Sequence, residues 1–186
     1  MNTKILKSLV FLGSFISTVM LLNSCKDPSN PPTPTNEEEL ITTLKIELTD
    51  TLTGQKFNYF FRDLDGEGGN LPSQWDTIKL ADSSFYKVNL KFLNESNPNS
   101  VVDITAEITT EKANHIICFT PALVNAIVTR TDSDGTYEIG LSSTWKTGKV
   151  STGDITISLR HQPGIKNGTC DPGETDAEVK FPTIIY

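Results

Sequence analysis

Apolar and polar residues alternate with a period of two along much of the chain after residue 43. In the first such segment, Leu44, Ile46 and Leu48 are each followed by a polar residue. This spacing indicates a β-strand with one buried face, because successive side chains of a strand point to opposite sides of the sheet. The same alternation, or a short apolar run, predicts further strands at 57–61, 75–80, 86–92, 115–120, 124–130, 137–141, 155–159 and 177–181.

Turn-forming residues separate these segments, and Asp134-Gly135 is a strong signal for a hairpin tip. One stretch, 102–113, has a helical pattern, with Ile104 and Ile108 four residues apart. We therefore predict an all-β fold, an antiparallel β-sandwich of immunoglobulin-like architecture with eight or nine strands and one short helical segment. A closed up-and-down barrel is the alternative.

The first 24 residues have the pattern of an export signal. Lys4 and Lys7 precede an apolar stretch that is too short for a membrane span, and the stretch ends in Leu-Asn-Ser-Cys. That ending resembles a lipobox, so we predict a lipoprotein signal peptide at 1–24 and lipidation of Cys25. The alternative is an ordinary signal peptide, or an uncleaved anchor, with an incidental cysteine.

The segment after Cys25 divides the chain into a tether and a domain. Residues 27–39 contain four prolines and no large apolar residue, which is typical of an extended linker. We predict a lipidated tether at 25–39 and a β-domain at 40–186. Lys26-Asp27 resembles the surface-export signal of Bacteroidota lipoproteins, although Pro28 stands where a second acid is usual. The outer membrane is the predicted location, and the side on which the domain lies is left open.

The charge of the chain limits its partners. It carries 16 basic and 23 acidic residues, and removal of Lys4 and Lys7 would make it still more acidic. Nucleic acid and anionic lipid both need a positive surface, so neither is expected as the main partner. The expected partners are the membrane, through the lipid, and an unknown protein or glycan.

Four segments resemble small cell-envelope lipoproteins of flavobacteria, which are Bacteroidota with a Pro/Thr-rich tether and a single β-domain. The segments are NEEELITTL at 36–44, DLDGEGG at 63–69, LRHQP at 159–163 and GETDAEV at 173–179. The resemblance covers nearly the whole chain after Cys25. It implies a location and a fold, and it carries over no activity and no catalytic residue.

An acidic, glycine-rich loop is the main candidate for a metal site. Asp63, Asp65 and Glu67 place carboxylates at alternate positions, as Ca²⁺ loops do. Ser73 and Gln74 stand where such a loop would need a bidentate acid. The interpretation as a calcium site therefore competes with that of a solvated turn, and no other cofactor is expected.

The two remaining cysteines, Cys118 and Cys170, allow a disulfide in an oxidising compartment, or a buried free thiol and a loop thiol. His115 and His161 have no spacing that suggests shared ligands. We therefore interpret His161 as a residue at the edge of the core and expect no zinc site.

Function is predicted only in outline. No nucleophile stands in a Gly-x-Ser-x-Gly setting, and no glycine loop is built to hold phosphate, so we expect a non-enzymatic binding or scaffolding module. One alternative is a carbohydrate-binding module of an outer-membrane uptake system. It would use Trp75 or Trp145 as a stacking platform, although core or rim packing is the favoured role of both rings. A hydrolase is the remaining alternative.

Overall fold

The computed structural model describes residues 40–66 and 68–186. The predicted signal peptide, Cys25, the tether and Glu67 lie outside the described residues. Within them, eleven strands and one helix follow one another. They are β1 (Thr43–Asp50), β2 (Lys56–Arg62), β3 (Gln74–Trp75), β4 (Ile78–Leu80), β5 (Phe85–Asn94), β6 (Val102–Asp103), α1 (Ile104–Thr110), β7 (His115–Ala122), β8 (Ala126–Arg130), β9 (Ser142–Thr147), β10 (Ser151–His161) and β11 (Glu174–Ile185).

The strands form two sheets. The first has the order β3-β2-β1-β5-β9-β8, with β6 paired to β5, and the second has the order β4-β11-β10-β7. Every pairing is antiparallel except that of β4 with β11, which is parallel. The prediction of an all-β domain is therefore confirmed.

Alternation along the strands determines which side chains are buried. Leu44, Ile46 and Leu48 of β1 belong to one hydrophobic cluster together with Ile155 and Ile157 of β10 in the other sheet. Each of these side chains is at most 2% exposed. Burial of apolar surface is the main stabilising contribution to such a fold, and here it connects the two sheets.

Trp145 of β9 lies in this core and is 0% exposed. Its indole nitrogen donates to Ser143 Oγ at 3.0 Å, so the buried polar atom is satisfied. Phe119 meets the ring edge-on, at 6.0 Å between centroids. The hypothesis that Trp145 is an exposed stacking platform is therefore wrong, and the ring packs in the core.

The predicted strand at 75–80 is divided between the two sheets. Trp75 in β3 pairs with Phe61 of β2, whereas Ile78 in β4 pairs with Thr183 of β11. Between them, Asp76 Oδ2 accepts from the Phe60 backbone nitrogen at 2.8 Å. This bond fixes the point at which the chain passes from one sheet to the other.

The prediction of a strand at 137–141 is wrong, because β9 begins only at Ser142. The preceding residues form a loop that bonds to other parts of the fold. Ile139 donates its N–H to the Asp132 carbonyl at 3.1 Å, and its own carbonyl accepts from Ile117 N at 2.7 Å. Gly140 has φ 101°, a left-handed conformation that ends the extended run.

The helical segment is shorter than predicted, since α1 covers Ile104–Thr110. The Asp103 side chain accepts from Thr105 N and caps the first turn. Ile104 and Ile108 are its two buried residues, in agreement with their spacing. Within 40–66 and 68–186, no helix is long and apolar enough to cross a membrane.

Cys118 and Cys170 form a disulfide between positions 52 residues apart. Cys118 lies on β7, and Cys170 lies in the loop between β10 and β11. The bond therefore attaches that long loop to the second sheet. The sequence left open whether these two cysteines form a disulfide or remain free thiols, and in the structure they are paired.

Candidate functional site

A pocket of about 640 Å³ lies where the first sheet meets β11. We call it the acidic pocket, because Asp63, Asp176 and Glu178 line it. None of the described residues that line it is lysine or arginine. Its volume lies in the range of small-ligand sites, and its charge favours a cation. Its other walls include the apolar side chains of Ile41, Leu44, Phe61 and Val179.

Asp63 follows β2 directly, so the end of that strand fixes its position. Its backbone nitrogen donates to the Thr42 carbonyl at 2.8 Å, which joins it to the start of β1. Among the described residues, its Oδ1 atom is buried without a hydrogen-bond donor. A buried carboxylate oxygen without a donor or cation is costly, so this atom is a candidate ligand.

Desolvation raises the pKa of Asp63, and the neighbouring carboxyl of Asp65 raises it further. The two acids therefore lie close enough to oppose ionisation of Asp63. A cation between them would reverse this effect, because opposite charge favours the carboxylate form.

Asp65 also has a structural role in the same loop. Its Oδ2 accepts from the backbone nitrogen of Asn70 at 2.8 Å and from Asn70 Nδ2 at 2.6 Å, and these bonds lower the pKa of Asp65. Gly69 lies against the carboxylate, since a Cβ there would stand 2.4 Å from Oδ2. Asp65 thus bonds across the loop to Asn70.

The positions after the loop provide no bidentate acid. Ser73 Oγ donates to the Arg62 carbonyl, and Gln74 Nε2 donates to both carboxylate oxygens of Asp76. The sequence matched a calcium loop only in part, and the structure agrees, because no acid stands at these two positions. Two further acids, Asp176 and Glu178 of β11, line the same pocket as Asp63.

A second cluster contains both histidines, whose spacing in the sequence gave no sign that they lie together. His115 begins β7 and His161 ends β10, and the two are direct cross-strand partners. Their rings stack at 4.8 Å between centroids, with an angle of 18° between planes. One ligand atom from each ring and one carboxylate oxygen of Glu111 lie within 4.8 Å of one another. We call these three residues the histidine cluster.

His115 is only 3% exposed. Burial lowers its pKa below the usual range, and the contact with the Glu111 carbonyl opposes this only in part. Its Nδ1 lies 3.2 Å from the Glu111 carbonyl oxygen, and its Nε2 lies 3.7 Å from Asp176 Oδ2. Asp176 also lines the acidic pocket, so the two candidate sites are neighbours. The only signal in the sequence was that both histidines flank predicted strands.

An ion pair fixes the loops next to the histidine cluster. Lys166 Nζ donates to Asp134 Oδ2 at 2.6 Å and to the Lys112 carbonyl at 2.8 Å. The side chains of Lys166 and Asp134 are largely buried, at 4% and 7% exposure. The pair connects the loop before β9, the end of the helical region and the loop after β10.

Trp75 remains a candidate for surface recognition, because it is 53% exposed. Its ring meets Phe61, a residue of the acidic pocket, edge-on at 5.9 Å. Its indole nitrogen donates to the Lys180 carbonyl at 3.0 Å. This bond holds the ring at the side of the pocket.

Comparison of the chain with protein-family models, with curated proteins and with solved structures gave no match. Any assignment of function therefore depends on the geometry of the described residues.

We predict that Asp134→Asn lowers the free energy of unfolding by about 2–3 kcal/mol at pH 7, because it leaves the Lys166 ammonium buried without its counter-charge. The Lys166 hydrogen bond lowers the pKa of Asp134 from 3.8 to about 2, with help from the backbone N–H groups of Tyr137 and Thr136. A carboxyl with a lowered folded-state pKa stabilises the fold above pH 3.8, and this contribution is lost as the pH falls through about 2.

Urea unfolding at several pH values measures this effect, and the difference between wild type and Asp134→Asn should shrink as the pH falls from about 4 to about 2. Glu138→Gln is the control. Glu138 is 57% exposed and lies 3.6 Å from Arg130, so its loss should cost less than about 1 kcal/mol. Equal effects of the two substitutions at pH 7 would contradict the prediction.

Proposed function

We propose that this protein is a non-enzymatic binding module, anchored to the outer membrane by a lipid on Cys25, and that the acidic pocket is its binding site. The observation that carries the site assignment is the combination of three carboxylates with an apolar wall and no basic residue among the described lining. Such a pocket favours a ligand that brings a positive charge and some apolar surface.

The architecture inferred for this module is an immunoglobulin-like β-sandwich. It is supported by the two hydrogen-bonded sheets and by the single hydrophobic cluster to which both contribute. In sandwiches, the loops at the ends of the strands are exposed and carry most binding sites. The loop after β2, which begins at Asp63, has this position.

Calcium is the cation proposed for the loop. Asp63 supplies a buried oxygen without a donor, and Asp65 Oδ1 is outside the two bonds that its Oδ2 makes with Asn70. Carboxylate oxygens are the ligands that this hard cation prefers. Glu67 is the third acid proposed from the sequence. A bound ion would favour the ionised form of Asp63, whose pKa is raised by desolvation and by the neighbouring Asp65 carboxyl.

Lipid anchoring is supported by the lysines, the apolar stretch and the Leu-Asn-Ser-Cys ending of the leader. Residues 25–39 would then hold the domain away from the bilayer. Whether the domain faces the periplasm or the medium is open in this proposal. Membership in a family of flavobacterial lipoproteins is proposed on the same residues and on the four segments that carry the resemblance.

Carbohydrate recognition is the second candidate function, and the exposed ring of Trp75 beside the pocket favours it. Aromatic faces pack well against the apolar faces of sugars, and carboxylates accept hydrogen bonds from sugar hydroxyls. A hydrolase would use the same carboxylates, with Asp63 as its acid, since that residue has a raised pKa.

We predict that the full-length protein in detergent binds Ca²⁺ and that Asp63→Asn weakens binding at least tenfold, because the substitution removes a charged ligand. Titration calorimetry with CaCl₂ measures this, and Ca²⁺ should raise the melting temperature of the wild type more than that of Asp63→Asn. Asp82→Asn is the control for the substitution and should bind like wild type, because Asp82 is exposed between β4 and β5, outside the pocket. No heat and no shift in melting temperature with wild type would remove calcium from the proposal.

We predict that Cys25→Ser abolishes incorporation of radiolabelled palmitate, since the thiol is the acceptor of the lipid. Membrane fractionation should then show loss of the mature form from the outer membrane. Ser17→Ala, in the apolar stretch of the leader, should be labelled like wild type. Labelling that persists in Cys25→Ser, or its absence from wild type, would overturn the proposed anchor.

We predict that any binding on a glycan array is lost in Trp75→Ala and kept in Phe85→Ala. Phe85 is the matched control, because it is similarly exposed at 52% but pairs with Lys146 of β9, whereas Trp75 contacts Phe61 of the pocket. Glycans recovered unchanged would support a binding module, whereas shortened glycans would support the hydrolase. An array without binding would contradict carbohydrate recognition.

A further inference from the structure

We propose that Glu111, His115 and His161 bind one divalent transition-metal ion of the Zn²⁺ type. This site is separate from the proposed calcium loop, and it does not depend on the function of the acidic pocket. The kind of ligand atoms present, their spacing and the backbone contacts that hold them together all support the assignment.

The ligand atoms are already close to the spacing that a metal requires. Bonds of about 2.1 Å to a tetrahedral ion place its ligand atoms about 3.4 Å apart. One atom from each residue of the cluster lies within 4.8 Å of the others. Binding of an ion would therefore draw these atoms closer together by up to about 1.4 Å.

The backbone holds the two histidines in register. His115 and His161 face each other in the β7–β10 ladder, which continues through Arg160 and Ile116. Gln162, directly after His161, donates its backbone N–H to the Asn114 carbonyl at 2.6 Å. The backbones of the two histidines are therefore held side by side before any ion binds.

Backbone hydrogen bonds through Asn114 connect Glu111 to the same β7–β10 ladder. Asn114 N donates to the Glu111 carbonyl at 2.8 Å, closing the turn between α1 and β7. Gln162 is 0% exposed, and its Nε2 donates to the carbonyls of Thr169 and Pro172. Glu111 itself is exposed, which gives an ion a path from solvent.

One of the two neutral tautomers of His115 fits metal binding. With the proton on Nδ1, this ring donates to the Glu111 carbonyl oxygen at 3.2 Å, and Nε2 keeps its lone pair. Histidines that bind metals commonly donate their other N–H to a carbonyl or carboxylate in this way. Asp176 Oδ2 lies 3.7 Å from Nε2 and adds negative charge next to the ion.

The donor set selects the class of metal. Two imidazoles and one carboxylate suit Zn²⁺, Ni²⁺, Cu²⁺ and Co²⁺, whereas Ca²⁺ and Mg²⁺ prefer oxygen ligands alone. Three protein ligands also leave a coordination position open for water or for a ligand. The two candidate sites therefore bind cations of different classes.

Titration of the full-length, untagged protein with Zn²⁺ tests the proposal. The chain has two histidines in total, so both imidazoles belong to this cluster. We expect one Zn²⁺ per chain, with an affinity at least tenfold weaker in His161→Asn and in Glu111→Gln. Co²⁺ should give visible absorption bands of a nitrogen-ligated ion in wild type, and His161→Asn should lose them.

Glu107→Gln is the matched control, because Glu107 is an exposed acid one turn earlier on the same helix. It should bind Zn²⁺ like wild type, and circular dichroism should show that every variant is folded. Asp63→Asn should keep the Zn²⁺ site, which separates this result from the calcium proposal. Absence of Zn²⁺ binding to wild type, or full binding by His161→Asn and Glu111→Gln, would overturn the assignment.

Discussion

The structure depends on the burial of apolar side chains that both sheets direct into one cluster. β5 is central in the first sheet, and Val88, Leu90 and Phe92 are its contribution to the cluster. Phe181 and Leu159 contribute from the second sheet. Neither sheet would be stable with such a face in water, because the exposed apolar area would cost more than strand pairing supplies. Because this shared cluster holds the two sheets together, it also fixes the positions of the loops and candidate sites.

Alternation predicted the long strands well, because their two faces have different environments. β1 and β5 alternate in burial along most of their length, so the period in the sequence is also the period of burial in the structure. The same rule failed at Tyr137 and Ile139. There the alternating residues belong to a loop, and a hydrogen bond to β7 holds Ile139 in its buried position outside any sheet. Of the two, Ile139 is buried and Tyr137 is exposed, so the alternation in this loop does not follow a buried face.

The candidate sites differ in how far the sequence could reveal them. The carboxylates of the loop at Asp63 are neighbours in the sequence, so their chemistry is visible without a fold. Asp176 and Glu178 enter the same pocket only because β11 lies beside it, and no spacing indicates this. His115 and His161 are brought together by the register of β7 and β10. Cross-strand partners of this kind require the pairing of strands to be known.

The parallel pairing of β4 with β11 has a consequence for the order of events during folding. Residues 78–80 meet residues 183–185, and Trp75 bonds to Lys180, 105 positions further along the chain. The second sheet thus lacks an inner strand until β11 has paired with β4 and β10. Contacts of such long range form slowly, since a large loop must close before they can form. Formation of this sheet is therefore expected to be a late step in the folding of the domain.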